Sequence, residues 1–513
     1  MISRSWWDDR IPVRRRRGLA VLAASLLLTT ARSAPAAQWV PGPTMSVSRS
    51  YFALVPLPSG DLLAPGGVAP GAGYTNRVDI FSLAGRTFSE TLAMPYSHRY
   101  QLQAVRLGNG KVLIAGEQYD GVAKEAHLFT ESTHSWATTF NPPAINRFAG
   151  AMIVLPGGQG LYTGGYNGGA NGPTYDSAEL FDPASATWSN TGSMVALREG
   201  HTLTLLTTGP NAGKVLVAGG GQRIGLTVEA RCELYDPATG LFALTGPLHT
   251  ARDAHTATRL LDGRVLVTGG HDTGAAGDNH NTAEIYDPVT GTWSYAAAMS
   301  TRRARHTATL LLNGDVLVVG GAQVSSGSAV TASAEIYHPA TDSWLPGVPA
   351  MGTARVGHSA ALLPSGEVLV AGGNDGTTYL ATSEIFVPGL VFYTLAPCRL
   401  IDTRQATSSL GGPALQPGDQ RLFALAGACG LPSTARAVSG NYTVTGSTAV
   451  GFLTLGASDQ ALPATAAINY GVGAVRSNNA IAELSTEGAG RIVVFNGSAG
   501  SVQFILDVNG YFQ

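Results

Sequence analysis

His306 to Gly321 reads HTATLLLNGDVLVVGG, and two close copies stand on either side of it: HTATRLLDGRVLVTGG from His255 and HSAALLPSGEVLVAGG from His358. Each copy is an alternating run, a turn signal and an apolar run ending in two glycines, which is how neighbouring β-strands read. Self-similarity at a period of about fifty residues means an array, so the unit has to be defined before any residue in it is called functional.

Four short patterns recur in fixed order, seven times each. One carries an aromatic: Trp39, Phe88, Trp136, Trp188, Phe242, Trp293 and Trp344. The next begins three residues after an arginine and alternates small and apolar residues, as in HTATLLL. The third is the apolar run ending in glycine, as in VLVAGG at Val215 or LYTGG at Leu161. The fourth joins an acid to an aromatic, as in AELFDP at Ala178 and AEIYDP at Ala283. Four strands per unit, seven units and no helical periodicity between them predict a β-propeller.

Apolar run, Gly-Gly, acid plus aromatic, then Trp: this order resembles the kelch repeat across about residues 38–388, most closely in VLVAGG…CELYDPATG and VLVTGG…AEIYDPVTGTW. The second copy departs from it, with Ala115-Gly116-Glu117 in place of the double glycine. The resemblance implies seven blades. The last copy ends at Phe386 without an aromatic strand of its own, so the strand of Trp39 is expected to complete it and close the ring, removing two exposed edges.

Arginine precedes the alternating strand in every copy: Arg49, Arg99, Arg147, Arg198, Arg252, Arg303 and Arg355. An acid stands two residues before the fourth-pattern aromatic in six: Asp79, Glu179, Glu233, Glu284, Glu335 and Glu384, with His127 in the second copy. Marks that repeat together predict buried ion pairs that hold blade geometry; the competing reading is a ring of guanidiniums for an anion or acidic peptide. His201, His255, His306 and His358 repeat in the same way, and one per unit is not metal-ligand spacing.

Sites are expected where copies differ. The segments after the glycines vary most and share a face with the arginine turns, giving a candidate binding surface of Tyr166, Tyr175, Arg223, His271, Asp272, Asp278, Asn279, His280, Asn374 and Asp375. Enzymatic alternatives fare worse. Arg49-Ser50-Tyr51 is similar to the arginine–tyrosine element of copper-radical oxidases of the galactose oxidase type, whose chemistry needs a tyrosine cross-linked to a cysteine, a second tyrosine and two histidines. Cys232 stands in a fourth strand, Tyr337-His338 occupies a turn, and no cysteine neighbours Tyr51. A sialidase-like acid box, a Ser-His-Asp elbow, a phosphate loop and zinc spacing are all lacking. The expectation is a non-enzyme with no metal or cofactor.

Arg14–Arg17, the apolar run Gly18–Thr30 and Ala34-Pro35-Ala36 read as a signal peptide over residues 1–36. The run is shorter than a bilayer span, and the arginine pairs also allow twin-arginine export. Without those residues 25 basic face 32 acidic side chains, a balance that argues against nucleic acid. No later segment is long and apolar enough to span a membrane.

From about residue 390 the repeat stops. AVSGNYTVTG, GFLTLG, GRIVVFNGS and VQFILDVNGYF alternate and break at glycines, reading as a β-sandwich. Cys398 and Cys429 are close enough in sequence for a disulfide in an exported chain, and Cys232 reads as a small core residue. The opening PCRLIDTR and closing DVNGYF resemble a β-rich module at the ends of secreted bacterial proteins, where surface attachment or glycan contact is an analogy; Asp402, Arg404 and Asp507 read as a charge network. The expected whole is an all-β exported or cell-surface protein, with a seven-bladed kelch-type β-propeller (37–389) that recognises an unidentified protein or glycan, followed by a β-sandwich-like domain (390–513).

Overall fold

The computed structural model describes residues 37–71, 73–96, 102–116, 126–139, 147–167, 172–222, 227–272, 279–324, 329–389, 392–485 and 490–513. The signal-peptide reading, Arg99, Arg223 and Asp278 lie outside them.

Seven four-stranded antiparallel sheets form the first part of the described chain. In each, the alternating strand is innermost, and inner strands neighbour one another from blade to blade: Val55–Pro56, Gln103–Arg106, Ala151–Val154, Thr202–Leu205, Thr256–Arg259, Thr307–Leu310 and Ser359–Leu362. The apolar strand comes next and is buried throughout, as in Val316–Val319, because both its faces pack between blades. The acid strand and the aromatic strand follow outward. The strand Gln38–Pro41 pairs with Ser383–Val387, placing Trp39 opposite Phe386. Blade seven thus takes its outer strand from the other end of the propeller.

The outer aromatics explain their own recurrence. All seven lie across from the acid-strand aromatic with ring centroids 4.7–5.3 Å apart, a tilted geometry worth more than area alone. Where the outer residue is Trp, its indole N–H reaches back to the preceding blade: Trp39 to Pro349 O at 2.8 Å, Trp293 to Gly246 O at 2.9 Å and Trp344 to Ala297 O at 2.8 Å. A β-hairpin wedge widens outward, and these rings fill the gap.

The Gly-Gly pair is a docking point. Gly269 and Gly270 have φ of 62° and 95°, and a Cβ on Gly269 would strike the backbone carbonyl of Arg303 in the next blade, the same carbonyl that accepts a 2.9 Å hydrogen bond from Gly270 N–H. Only glycine satisfies both demands.

The second domain stacks two four-stranded sheets. One contains Phe392–Asp402, Gln503–Phe512, Ala437–Thr445 and Arg476–Glu483; the other contains Gln420–Ala424, Arg491–Asn496, Gly451–Ala457 and Ile468–Tyr470. Between them lies a core that includes Ile401, Phe423, Leu453, Val494 and Phe504, so the alternation seen in the sequence is a sandwich's inward face. Cys398 and Cys429 are disulfide-bonded, with Cα atoms 6.0 Å apart. Arg404 grips Asp402 through Nε and Nη2 at 2.8 and 2.7 Å, and Arg399 grips Asp507 at 2.8 and 3.1 Å, so the charges of PCRLIDTR and DVNGYF are used on one another. Among the described residues no helix is long and apolar enough to cross a membrane.

Candidate functional site

The repeated arginines are spent on the scaffold. Arg49, Arg147, Arg198, Arg252, Arg303 and Arg355 are fully buried, and each meets the acid of its own blade: Asp79, Glu179, Glu233, Glu284, Glu335 and Glu384, at 2.6–3.1 Å. Each also donates to the carbonyl of the first glycine of its blade, as Arg303 Nη1 does to Gly320 O at 2.8 Å. The carboxylates in turn accept backbone N–H bonds from the turn that delivers the arginine; Glu233 takes those of Val195 and Ala196 at 2.7 and 3.2 Å. A guanidinium ring open to an anion is therefore not what these residues build.

The histidines are staples between blades. Nε2 of His201, His255 and His358 lies 2.8, 3.1 and 2.9 Å from Oγ1 of Thr163, Thr202 and Thr307 in the preceding blade, and Nε2 of His306 lies 3.0 Å from both Thr256 and Thr268. Burial, reinforced by the neighbouring arginines, pushes the pKa of His255 and of His358 down to about 3 from 6.5; His201 and His306 are displaced in the same direction. The unfolded chain binds a proton near pH 6.5 that the folded chain refuses, so stability is complete above that pH and drains away as pH falls toward about 3. Each such histidine is expected to remove about 1.4 kcal/mol per pH unit in that window. Denaturant unfolding between pH about 7 and about 4 checks this: His358→Gln should show a shallower acid decline than the parent chain.

One further ring was not legible as a pattern. The residue two places after each arginine has left-handed backbone: Tyr51 (φ 55°), Ala149 (50°), Gly200 (62°), Ala254 (49°), Arg305 (55°) and Gly357 (63°). Their backbones join from blade to blade. Gly200 N–H donates to Ala149 O at 2.9 Å, Ala254 to Gly200 at 3.2 Å, Arg305 to Ala254 at 2.9 Å, Gly357 to Arg305 at 3.2 Å and Tyr51 to Gly357 at 2.6 Å. This collar of hydrogen bonds surrounds the axis, with the blade-two member outside the described residues. It frames a cavity of about 270 Å³ lined by Tyr51, Gln103 and Arg305 together with the four histidines. The Tyr51 ring lies over Gly357, where any Cβ would meet it at 2.9 Å.

The variable segments flank this mouth. Isolated bridges tie the residue after each arginine to the residue after the glycines, as Asp253 to His271, Phe148 to Tyr166 and Val356 to Asn374, which puts the segments beside the collar. Their candidate residues do not behave alike. Tyr166 is buried against Phe148, with centroids 5.2 Å apart, and Tyr175 lies under the Arg147 guanidinium at 5.8 Å. Asn279 is buried and donates Nδ2 to Ala322 O at 2.5 Å. Asn374 and Asp375 close their own turn: Asp375 Oδ1 accepts from Thr377 and Thr378, which holds its carboxyl well below the ordinary range. His271, Asp272 and His280 do converge, together with Asp253, which the repeat pattern did not mark. His271 Nδ1 lies 2.6 Å from Asp253 Oδ1, and His280 Nε2 lies 3.8 Å from Asp272 Oδ2. Desolvation lowers the pKa of His280. The signal that would have found Asp253, Tyr51 and Arg305 is variation at the two places after an otherwise fixed arginine.

Among the described residues no three or more His, Cys, Asp or Glu are grouped to hold a metal ion. Cys232 is buried in the core of blade four, where desolvation pushes its thiol up to about 11; Tyr337 donates to Asp342 at 2.7 Å, and His338 contacts Asp315 at 2.5 Å. The residues named for copper-radical chemistry are thus employed separately and do not fit a common copper.

The model of the Attractin/LZTR1 beta-propeller family matches residues 111–383, just over half of the chain. A solved fungal alcohol oxidase of the AA5 family, in complex with copper, is similar over 91% of this chain and 93% of its own, with a TM-score of 0.56 and 15% identity. The structure of YjhT covers 57% of this chain and 96% of its own at 14% identity and a TM-score of 0.45. No curated protein matches the sequence. At 15% identity the likeness to the alcohol oxidase is one of fold.

Proposed function

Because this chain belongs to the Attractin/LZTR1 beta-propeller family, a kelch-type interaction scaffold, we propose that it is an exported or cell-surface protein that recognises a protein or glycan partner through the collar mouth and the variable segments around it. One observation carries this reading. Tyr51 and Arg305 hold left-handed backbone at collar positions where Gly200 and Gly357 sit without cost, and a non-glycine residue there costs roughly 1–2 kcal/mol. Ala149 and Ala254 carry the same backbone strain; what sets Tyr51 and Arg305 apart is a large, polar-tipped side chain held by that strain on the wall of the cavity, as a recognition site would hold it. The turn-forming segments nearby suit a polar, hydrogen-bonding partner.

Arg305→Gly separates scaffold from site. The variant is expected to be as stable as the parent or more stable by about 1 kcal/mol, and to lose at least about tenfold in affinity for a partner found on glycan and peptide arrays. A variant that binds unchanged would remove the mouth from the recognition surface. Copper retained on purification with turnover of alcohols would replace this reading by an oxidase.

A further inference from the structure

A second cavity lies away from the collar, on the opposite side of the blades. The hairpins between inner and second strands, which turn at Leu311–Asp315 in blade six and Leu363–Glu367 in blade seven, meet the second domain there. Arg436 Nη2 donates to Ser365 O at 3.2 Å and Gln513 Nε2 to Leu312 O at 3.2 Å. Between these two bonds the surfaces stand apart and leave about 520 Å³, within the range of small-molecule sites, which favour domain junctions.

The walls are uneven in chemistry. Leu312, Val387, Pro388 and Leu484 make an apolar lining. Glu367 faces the cleft already engaged, bidentate with Arg86 at 2.7 and 3.2 Å and receiving the Ser365 hydroxyl at 2.7 Å. Arg436 is different. It is half-buried, and no carboxylate among the described residues lies within 4 Å of its guanidinium. Among the described residues its guanidinium donates one hydrogen bond, to a neutral carbonyl, which leaves most of its five N–H donors to water or a ligand. Burial lowers its pKa, with Asp459 the acid that opposes the shift. With no carboxylate in direct contact, this partly desolvated guanidinium can still take an anionic ligand, and the cleft beside it is open.

We propose that this interdomain cleft binds a small amphipathic carboxylate, with the carboxylate on the Arg436 guanidinium and the apolar body between Leu312, Val387, Pro388 and Leu484. A planar guanidinium matches a carboxylate in bidentate fashion, and the apolar wall rewards a hydrocarbon chain or ring by burial. Glu483 stands at the exposed rim and acts against the anion. The bound molecule touches both domains, so it also braces their junction.

Octanoate titrated calorimetrically into the full chain tests this, with octanol and octylamine as controls. Saturable binding of octanoate alone is expected. Arg436→Met, which keeps length and removes charge, should weaken it about tenfold or more; Glu483→Gln should strengthen it; Thr434→Trp, placed in the cleft lining, should abolish it by filling the space while unfolding at the parent temperature. Absence of octanoate binding, equal binding of octanol, or binding indifferent to both Arg436→Met and Thr434→Trp would overturn the proposal. None of these outcomes depends on the collar mouth, so partner recognition there stands or falls separately.

Discussion

A chain beginning at Thr44, which lacks the strand Gln38–Pro41, is expected to self-associate more than the parent and to unfold far more easily. Three things go at once: the ladder to Ser383–Val387, the Trp39–Phe386 ring contact at 5.1 Å, and the indole bond to Pro349 that ties blade seven to blade six. Removing a packed tryptophan costs about 3 kcal/mol at the low end, and the lost ladder adds to it. The acid strand of blade seven then becomes an edge five residues long with Phe386 beneath it, a template for pairing with another copy. Light scattering after gel filtration, with thermal unfolding alongside, checks both parts. A truncated chain that kept the parent's state of association and its stability would mean that the ring does not rely on this strand.

Arg198→Met is expected to cost about 3–5 kcal/mol, measured by denaturant unfolding. Arg198 and Glu233 are both wholly excluded from solvent and 2.6 Å apart; the substitution strands a buried carboxylate whose remaining partners are two backbone N–H groups. It also removes the donor to Gly219 O at 2.7 Å and Arg231 O at 3.0 Å. Adding Glu233→Gln should recover part of the loss, since an amide is neutral where the anion was not. The difference between the double variant and the sum of the singles gives the coupling within the pair. A single-variant loss below about 1 kcal/mol would show the pair to be dispensable to the blade.

Marks that recur in the sequence turn out to be marks the scaffold consumes. Arg252 with Glu284, Trp293 with Gly246, His306 with Thr256 and Gly270 with Arg303 each repeat because every blade must be fastened to itself or to its neighbour in the same way. The closing role of Trp39 was legible for the same reason, as a strand missing at one end and spare at the other. The collar was not. Left-handed backbone announces itself only where glycine takes it, as at Gly200 and Gly357, and is silent at Tyr51, Ala149, Ala254 and Arg305. Variable segments lie beside the collar, yet Asp375 and Asn279 spend polar groups on their own backbone and the adjacent blade, while Asp253 contributes from the fixed side of the turn. The cleft at Arg436 depends on two domains meeting, and no run of residues within either one encodes that.

The pairing of the two ends of the propeller has a bearing on how the molecule comes into being. The Ser383 hydroxyl donates to the Pro43 carbonyl across 340 residues, so the strand Gln38–Pro41 waits, unpaired, until nearly the whole array has been made. Contacts of such separation form late and slowly. During that interval the propeller carries an unsatisfied strand and an open blade stack, the period in which a folding helper would matter most.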